Sequence, residues 1–322
     1  MPAARASTEP MAVPVFSRAA VLEAVTPQDA YGAVRNAFLA HHSGEWSMPP
    51  KVYVTNYPAG DFRAMPAIGG GHALLKWVTS FPGNPALGLP TVTGLVVLSN
   101  AETGQLEAVL EAAAVTALRT AAAATLAADE LGRDDGASVA VVGAGVNGAE
   151  TARSFVARGR APLVWDVDEH RRRLVAEELG VPVAGSLEEA LACDVVVTVT
   201  PGREVLYPPG ALRPGQHVSL MGADGPGKAE IATAELGRAH LFCDDWEQAS
   251  HGGELAAGVE DGIVGRDDVT QLGAVLAGDA EGRRSDDEVT LFDSTGLAIQ
   301  DLGIARAALL KSVEMDLPRL EL

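Results

Sequence analysis

The sequence predicts an α/β protein in two parts: a mixed α+β half, then a doubly wound parallel sheet with helices on both faces. Three observations carry that expectation. The chain has 322 residues, and domains of roughly 150 residues make two domains the natural division. Apolar residues make up 47% of it, enough to fill sizeable cores. Up to about residue 130, helical and β-like stretches are grouped, whereas beyond it short apolar strands alternate with helices, the pattern of parallel βαβ units.

The opening "MPAARASTEP" lacks the apolar core of a signal peptide and reads as a loose tail. Residues 18–43 are apolar at helix spacing, with a break near Pro27. Between 48 and 100, the β-like runs "KVYVTNY", "ALLKWVTSF" and "TVTGLVVLS" are separated by Pro and Gly clusters. After the turn-like "SNAETGQ", an Ala-rich helix is expected over about 107–130. Its most apolar part, 108–128, is interrupted by Glu111 and Arg119, which suits a buried helix and not a membrane span. Residues 136–159 then read as strand, glycine turn and helix. "PLVWDVD", "DVVVTVT" and "HVSLMGAD" are further strands, and "EHRRRLVAEELG" and "SLEEALA" are helices. "VTLFDSTGLAIQDLGIARAALL" is a strand and a long helix that returns to the first half. The expected division is 1–128, completed by 303–322, and 129–302.

The net charge of −19 disfavours nucleic acid or an anionic membrane as partner. Cys193 and Cys243 form neither a disulfide framework nor a metal pattern, which points to a reducing cytoplasm. Only four of the 24 basic residues are lysines: Lys51, Lys76, Lys228 and Lys311. A lysine inside an apolar stretch therefore stands out.

"VAVVGAGVNGAE" carries G-x-G-x-x-G through Gly143, Gly145 and Gly148, between an apolar strand and a helix. The first glycine permits a tight turn, the second a close approach to a pyrophosphate, and the third tight packing of helix on strand. Asp166 ends the next strand, 18 residues after Gly148, where an acid binds a ribose diol. This context predicts a Rossmann domain and NAD. Arg171, Arg172 and Arg173 lie near enough to leave NADP possible.

In "DFRAMPAIGGGHALLKW", Arg63 and Lys76 stand in an otherwise apolar, glycine-rich stretch. With Lys51 and Arg119 they are the candidate anion ligands of the first half. Each one alone would pass for a rim charge. "GADGPGK" ends the fourth strand of the second half, where ligands of such sheets bind, and Asp224 within it is a candidate acid.

"RAMPA", "LLKWV", "VTALRTAAAA", "GAGVNG", "GADGPGK", "DDWEQASHGGEL" and "TLFDSTGLAIQDLGIA" together resemble the ornithine cyclodeaminase/μ-crystallin family, in order, from about residue 45 to 315. The resemblance implies a homodimer built on a mixed α/β substrate domain, a Rossmann domain, and hydride exchange between a nicotinamide and the α-carbon of an amino or imino acid. It implies that Lys76 and Arg119 hold the substrate carboxylate, that Lys51 is a further basic ligand, and that Asp224 orients a water or assists proton transfer. It also implies cofactor contacts from Arg119, Thr120, Val146, Asn147, Thr198, Asp224 and Ser294, besides the glycines and Asp166. Arginine suits bidentate carboxylate binding, while a desolvated lysine flanked by cations can exchange protons.

Members that cyclise ornithine resemble "ELMP" where this chain has "RAMP", so Arg63 replaces a glutamate that would receive a distal ammonium. A guanidinium repels an ammonium and attracts a carboxylate. The expectation is an NAD(H)-dependent amino-acid dehydrogenase or imine reductase acting on a small 2-oxo, amino or imino acid. The competing readings are a cyclodeaminase that retains NAD and a small-molecule-binding protein of the μ-crystallin kind.

Overall fold

The computed structural model describes residues 12–133, 136–223, 225 and 227–321. The expected N-terminal tail, residues 1–10, lies outside them. The chain begins with β1 (Ala12–Phe16) and α1 (Arg18–Ala24). Thr26 and Asp29 then form a capping box around Pro27, so α2 (Pro27–His42) starts at the expected break. β2 (Val52–Asn56), β3 (Gly60–Gly69), β4 (His72–Ser80), β5 (Val92–Asn100) and β6 (Leu106–Glu111) follow as an antiparallel meander.

Two expectations are corrected here. The segment between the β-like runs "KVYVTNY" and "ALLKWVTSF" is itself a strand, β3, although it contains Pro66. Ile68 and Ser47 exchange both backbone hydrogen bonds at 2.9 Å. Pro66, two residues earlier, therefore turns its nitrogen to that same outer side, beyond the last residue paired with β2. The helix expected from residue 107 starts instead at Ala112, because residues 106–111 pair with β5 and β1. Glu111 marks the change, its carboxylate accepting from the amides of Ala113 and Ala114 at 2.9 and 2.8 Å.

Next come α3 (Ala112–Leu131), β7 (Val139–Val142), α4 (Val146–Ala157), β8 (Leu163–Trp165), α5 (Glu169–Leu179), α6 (Leu187–Leu191), β9 (Val195–Thr198) and β10 (His217–Leu220). They are followed by α7 (Thr233–Leu236), β11 (His240–Cys243), α8 (Trp246–Gly252), α9 (Ala256–Glu260), β12 (Val269–Gln271), α10 (Leu272–Ala277), β13 (Thr290–Asp293), α11 (Ala298–Lys311) and β14 (Arg319–Glu321). β11 and β12, only four and three residues long, were not read from the sequence.

The first sheet has the order β14-β1-β6-β5-β4-β3-β2 and the second β12-β11-β13-β10-β9-β7-β8. All pairings in the second are parallel. β7 lies between β8 and β9, so the winding reverses there and opens a crevice at the carboxyl ends of the strands. The fold class is therefore the expected one, a Rossmann sheet joined to a mixed α/β half. α3 joins the two, packing on α2, α4, α11 and β5. Its alanines are almost all buried, and their small side chains let neighbouring backbones approach closely. One core runs from Phe16 and Val96 through this helix to Val141 and Phe292. Among the described residues, no helix is long and apolar enough to cross a membrane.

His217 on β10 is fully buried. Its Nδ1 lies 2.9 Å from Thr290 Oγ1 and its Nε2 2.9 Å from Ser219 Oγ. The Thr290 hydroxyl donates to the Leu131 carbonyl at 2.8 Å, so it accepts from Nδ1–H while the Ser219 hydroxyl serves Nε2. Burial, reinforced by Arg283 and Arg160, pushes the imidazole down to about 3. A group with a depressed folded-state value adds stability above its unfolded value of about 6.5, which is lost as pH falls through the folded one. His217→Gln, which takes up no proton, should thus lose less stability than the unmodified chain between pH 6.5 and 3 in urea unfolding. Parallel pH slopes would show that His217 is not a neutral buried group.

Candidate active site

The glycine turn between β7 and α4 divides its three glycines by physical role. Gly143 has φ +108°, and a Cβ there would lie 2.6 Å from the Val199 carbonyl oxygen. A Cβ on Gly148 would lie 1.7 Å from the Gly143 oxygen. Both are required by the protein's own packing. A Cβ on Gly145 meets nothing within 4 Å, and no side chain caps α4 at this residue. Its open space and the amides of Val146 and Asn147 at the helix start form a cradle suited to a phosphate. The residues present therefore fit a dinucleotide.

Asp166 follows β8 and is anchored against this turn. Its carboxylate accepts from the Ala144 amide at 2.6 Å and from the Asp168 amide at 2.8 Å. The three nearby arginines are engaged locally: Arg171 with Asp168 at 3.2 Å, Arg173 with Glu169 at 2.6 Å, and Arg172 with the Asp166 carbonyl at 3.3 Å. Val167, between two aspartates, is 82% exposed.

Across the crevice, the expected cofactor residues Thr198 and Ser294 stand at the carboxyl ends of β9 and β13. Both are buried with their hydroxyls turned to acids. Thr198 Oγ1 donates to Glu230 at 2.6 Å, and Ser294 Oγ to Asp244 at 3.2 Å. Glu230 also accepts from the amides of Thr200 at 3.1 Å and Gly222 at 3.0 Å. Asp244 gathers the next loop, accepting from the Thr295 hydroxyl at 3.1 Å and the Gly296 amide at 2.8 Å. Burial raises the carboxyls of Glu230 and Asp244. Burial and the neighbouring Asp244 push Asp293 up to about 8. Glu230 and Asp244 were missed in the sequence, where acids in strand-following loops look like solvated charges.

The loop held by Asp244 reaches the cations of the first half. Lys51 Nζ donates to the Thr295 carbonyl. The Arg119 guanidinium lies so close over Gly296 that a Cβ there would come within 2.6 Å of Nη1. Arg119, Thr116 and Thr120 are neighbours at helix spacing on α3. Thr120 is buried, and its hydroxyl has no protein partner among the described residues.

On the first sheet, Arg63 is opposite Val78 and Met65 opposite Lys76, which places Arg63 and Lys76 diagonally on one face. Arg63 is only 8% exposed, so it is not a rim charge. Asp61 binds its Nε at 2.6 Å and Nη2 at 3.3 Å, and the guanidinium lies 5.3 Å from the centre of the Tyr53 ring. Lys76 is 1% exposed, and its Nζ donates to Thr116 Oγ1 at 2.6 Å and to Asp301 Oδ1 at 2.9 Å. Asp301 also lies 3.8 Å from Arg119 Nε. Burial pushes the Lys76 ammonium below its ordinary range; Asp301 opposes this, and Arg119 and Arg63 add to it. Asp301 and Thr116 were missed in the sequence, Asp301 because it reads as a polar residue in the first turn of a helix. Asp224 lies outside the described residues.

The structure thus joins a dinucleotide cradle to a buried cationic cleft, the arrangement of a nicotinamide-dependent oxidoreductase fold. The pattern of the Ornithine cyclodeaminase/mu-crystallin family matches residues 12–313, and the chain belongs to that family. It is 41% identical over 300 residues to the alanine dehydrogenase of Archaeoglobus fulgidus, covering 91% of this chain and 92% of that one. It is 33% identical over 234 residues to the iminosuccinate reductase of Paracoccus denitrificans, covering 70% and 73%. An archaeal alanine dehydrogenase dimer solved with bound NAD superposes with a TM-score of 0.91 at 38% identity, covering 97% of this chain and 99% of the other.

A carboxylate at the ribose position, the place expected for Asp166, disfavours a 2′-phosphate by charge repulsion, and Arg171 and Arg173 are paired with their own acids. Asp166→Ser should therefore raise the use of NADPH relative to NADH, read as the ratio of kcat/KM values. An unmodified protein that already prefers NADPH would contradict the role given to Asp166.

Proposed function

We propose that this chain is an NAD(H)-dependent oxidoreductase that exchanges hydride with the α-carbon of a small amino or imino acid, as an alanine dehydrogenase or an imino-acid reductase does. The observation that carries the reading is Arg63, buried on the same sheet face as Lys76. Lys51, Arg63, Lys76 and Arg119 bring four positive charges to this region, where Asp61 pairs with Arg63 and Asp301 lies against both Lys76 and Arg119. A guanidinium at the Arg63 position attracts a carboxylate and repels the distal ammonium of ornithine. This favours the dehydrogenase or reductase over a cyclodeaminase.

When bound, NAD supplies the hydride acceptor or donor. Gly145, the first amides of α4 and Asp166 would hold its phosphates and ribose. Arg119 and Lys76 hold the substrate carboxylate, with Lys51 and Arg63 completing the charge. Lys76 exchanges the proton, because burial lowers its proton affinity and arginine cannot take that part. Asp224 assists that transfer.

Homodimerisation belongs to the same proposal. Successive side chains on a strand face opposite ways, so the face opposite Arg63 and Lys76 carries Val52, Val54, Leu75, Trp77 and Leu95, each more than 40% exposed. An apolar sheet face of this kind is a protein–protein contact surface. Trp77→Glu with Leu95→Glu should yield a monomer in sedimentation; an unchanged mass would place the contact elsewhere.

The activity is tested with NADH at 340 nm against a panel of 2-oxo acids with ammonia, simple amines and preformed cyclic imino acids. Arg63→Ala should raise KM for the acid by about 10- to 150-fold, the worth of one charge-assisted hydrogen bond. Robust conversion of ornithine to proline by the unmodified protein would overturn the reading.

A further inference from the structure

Lys76 has three N–H positions, and the structure accounts for two of them. Thr116 Oγ1 accepts one at 2.6 Å and Asp301 Oδ1 another at 2.9 Å. Thr116 spends its own hydrogen on the Ala112 carbonyl at 2.7 Å. Toward Lys76 it is therefore an acceptor only. An ionised carboxylate is an acceptor only as well. A neutral amine has two hydrogens and one lone pair, so these two acceptors take both hydrogens.

We infer that Thr116 and Asp301 are positioning residues that form a two-point rest for Lys76. In either charge state they hold the same two N–H groups, so the exchangeable proton, or the lone pair left when it departs, always occupies the third position. This rests on the reading of Lys76 as the proton-exchanging group.

The supports are rigid. Thr116 lies on α3, and Asp301 is fully buried in the first turn of α11, where the helix dipole favours an anion. Lys76 itself comes from the interior of β4, paired on both sides. Among the described residues, the charged groups facing Lys76 are Asp301 on α11, Arg119 on α3 and Arg63 on β3. Of these only Asp301 favours the ammonium. It thus sets how readily the proton leaves, while Thr116 helps set the direction in which it leaves.

With only four lysines in the chain, the ionisation of Lys76 can be followed without turnover. In protein labelled with ¹³C-lysine, the Lys76 Cε signal is assigned by its loss in Lys76→Met and titrated by NMR. Asp301→Asn keeps the shape and an acceptor oxygen but removes the charge. Its Lys76 should bind its proton roughly tenfold or more weakly than the unmodified lysine, the effect expected from losing an opposite charge at hydrogen-bond distance. The limb of the pH–rate profile that follows Lys76 should move to lower pH by the same amount. If Asp301→Asn does not fold, Thr116→Val and Thr116→Ser carry the test. Valine should weaken proton binding and lower kcat at unchanged NADH affinity, and serine should restore both. A Lys76 titration unmoved in the soluble variants overturns the two-point rest. Absence of turnover across the whole panel, with that titration shifted as expected, overturns the proposed activity instead.

Discussion

Burying a lysine beside two arginines is costly, and Asp301 makes it tolerable. An ammonium taken out of water loses several kcal/mol of hydration unless a charge and hydrogen bonds replace it. The replacement must come from elements far apart in the chain. Lys76 arrives on β4, Arg119 and Thr116 on α3, and Asp301 on α11, so the two helices and the sheet are brought to one point by their charges as well as by their apolar faces. Removing Asp301 would leave the buried Lys76 facing only charges of its own sign, on Arg119 and Arg63.

The same logic appears in the second sheet with the signs reversed. Asp244 and Glu230 are buried at the carboxyl ends of strands, and each gathers amides and hydroxyls from the next loop. They are internal staples that make irregular backbone rigid without regular secondary structure. The loop after β13 is the more consequential of the two. It is held by Asp244 beneath, and it presents Gly296 to Arg119 and the Thr295 carbonyl to Lys51. A carboxyl in the cofactor half thereby sets the geometry of cations in the other half. The two halves meet at this loop.

Much of this was legible in the sequence, and the part that was not has a physical cause. The glycine turn could be read because backbone sterics leave few alternatives: Gly143 needs its positive φ and Gly148 has no room for a Cβ. The four cations could be read because charge in an apolar stretch must be explained. Asp301 could not, since an acid in a first helical turn is ordinary on a surface and only the packing of α11 reveals that it is buried. Thr198 and Ser294 could be placed at the strand ends, but not the acids that hold them, because Glu230 lies 32 residues from Thr198 and Asp244 lies 50 from Ser294. β3 was not read as a strand. Its proline would break a strand paired on both sides but is harmless here, where the nitrogen faces the side on which the pairing with β2 has already ended.

The second sheet is contiguous in the chain, from β7 to β13, whereas the first needs α11 against its face and β14 beside β1. Synthesis from the N-terminus therefore delivers Lys76 to the growing chain 225 residues before the aspartate that neutralises it. Until α11 emerges, that ammonium has no reason to leave water, and the first sheet cannot close over it. The cofactor half has all its strands by then and can fold while still tethered to the ribosome. The charge cluster around Lys76 therefore cannot be completed before α11 has been made.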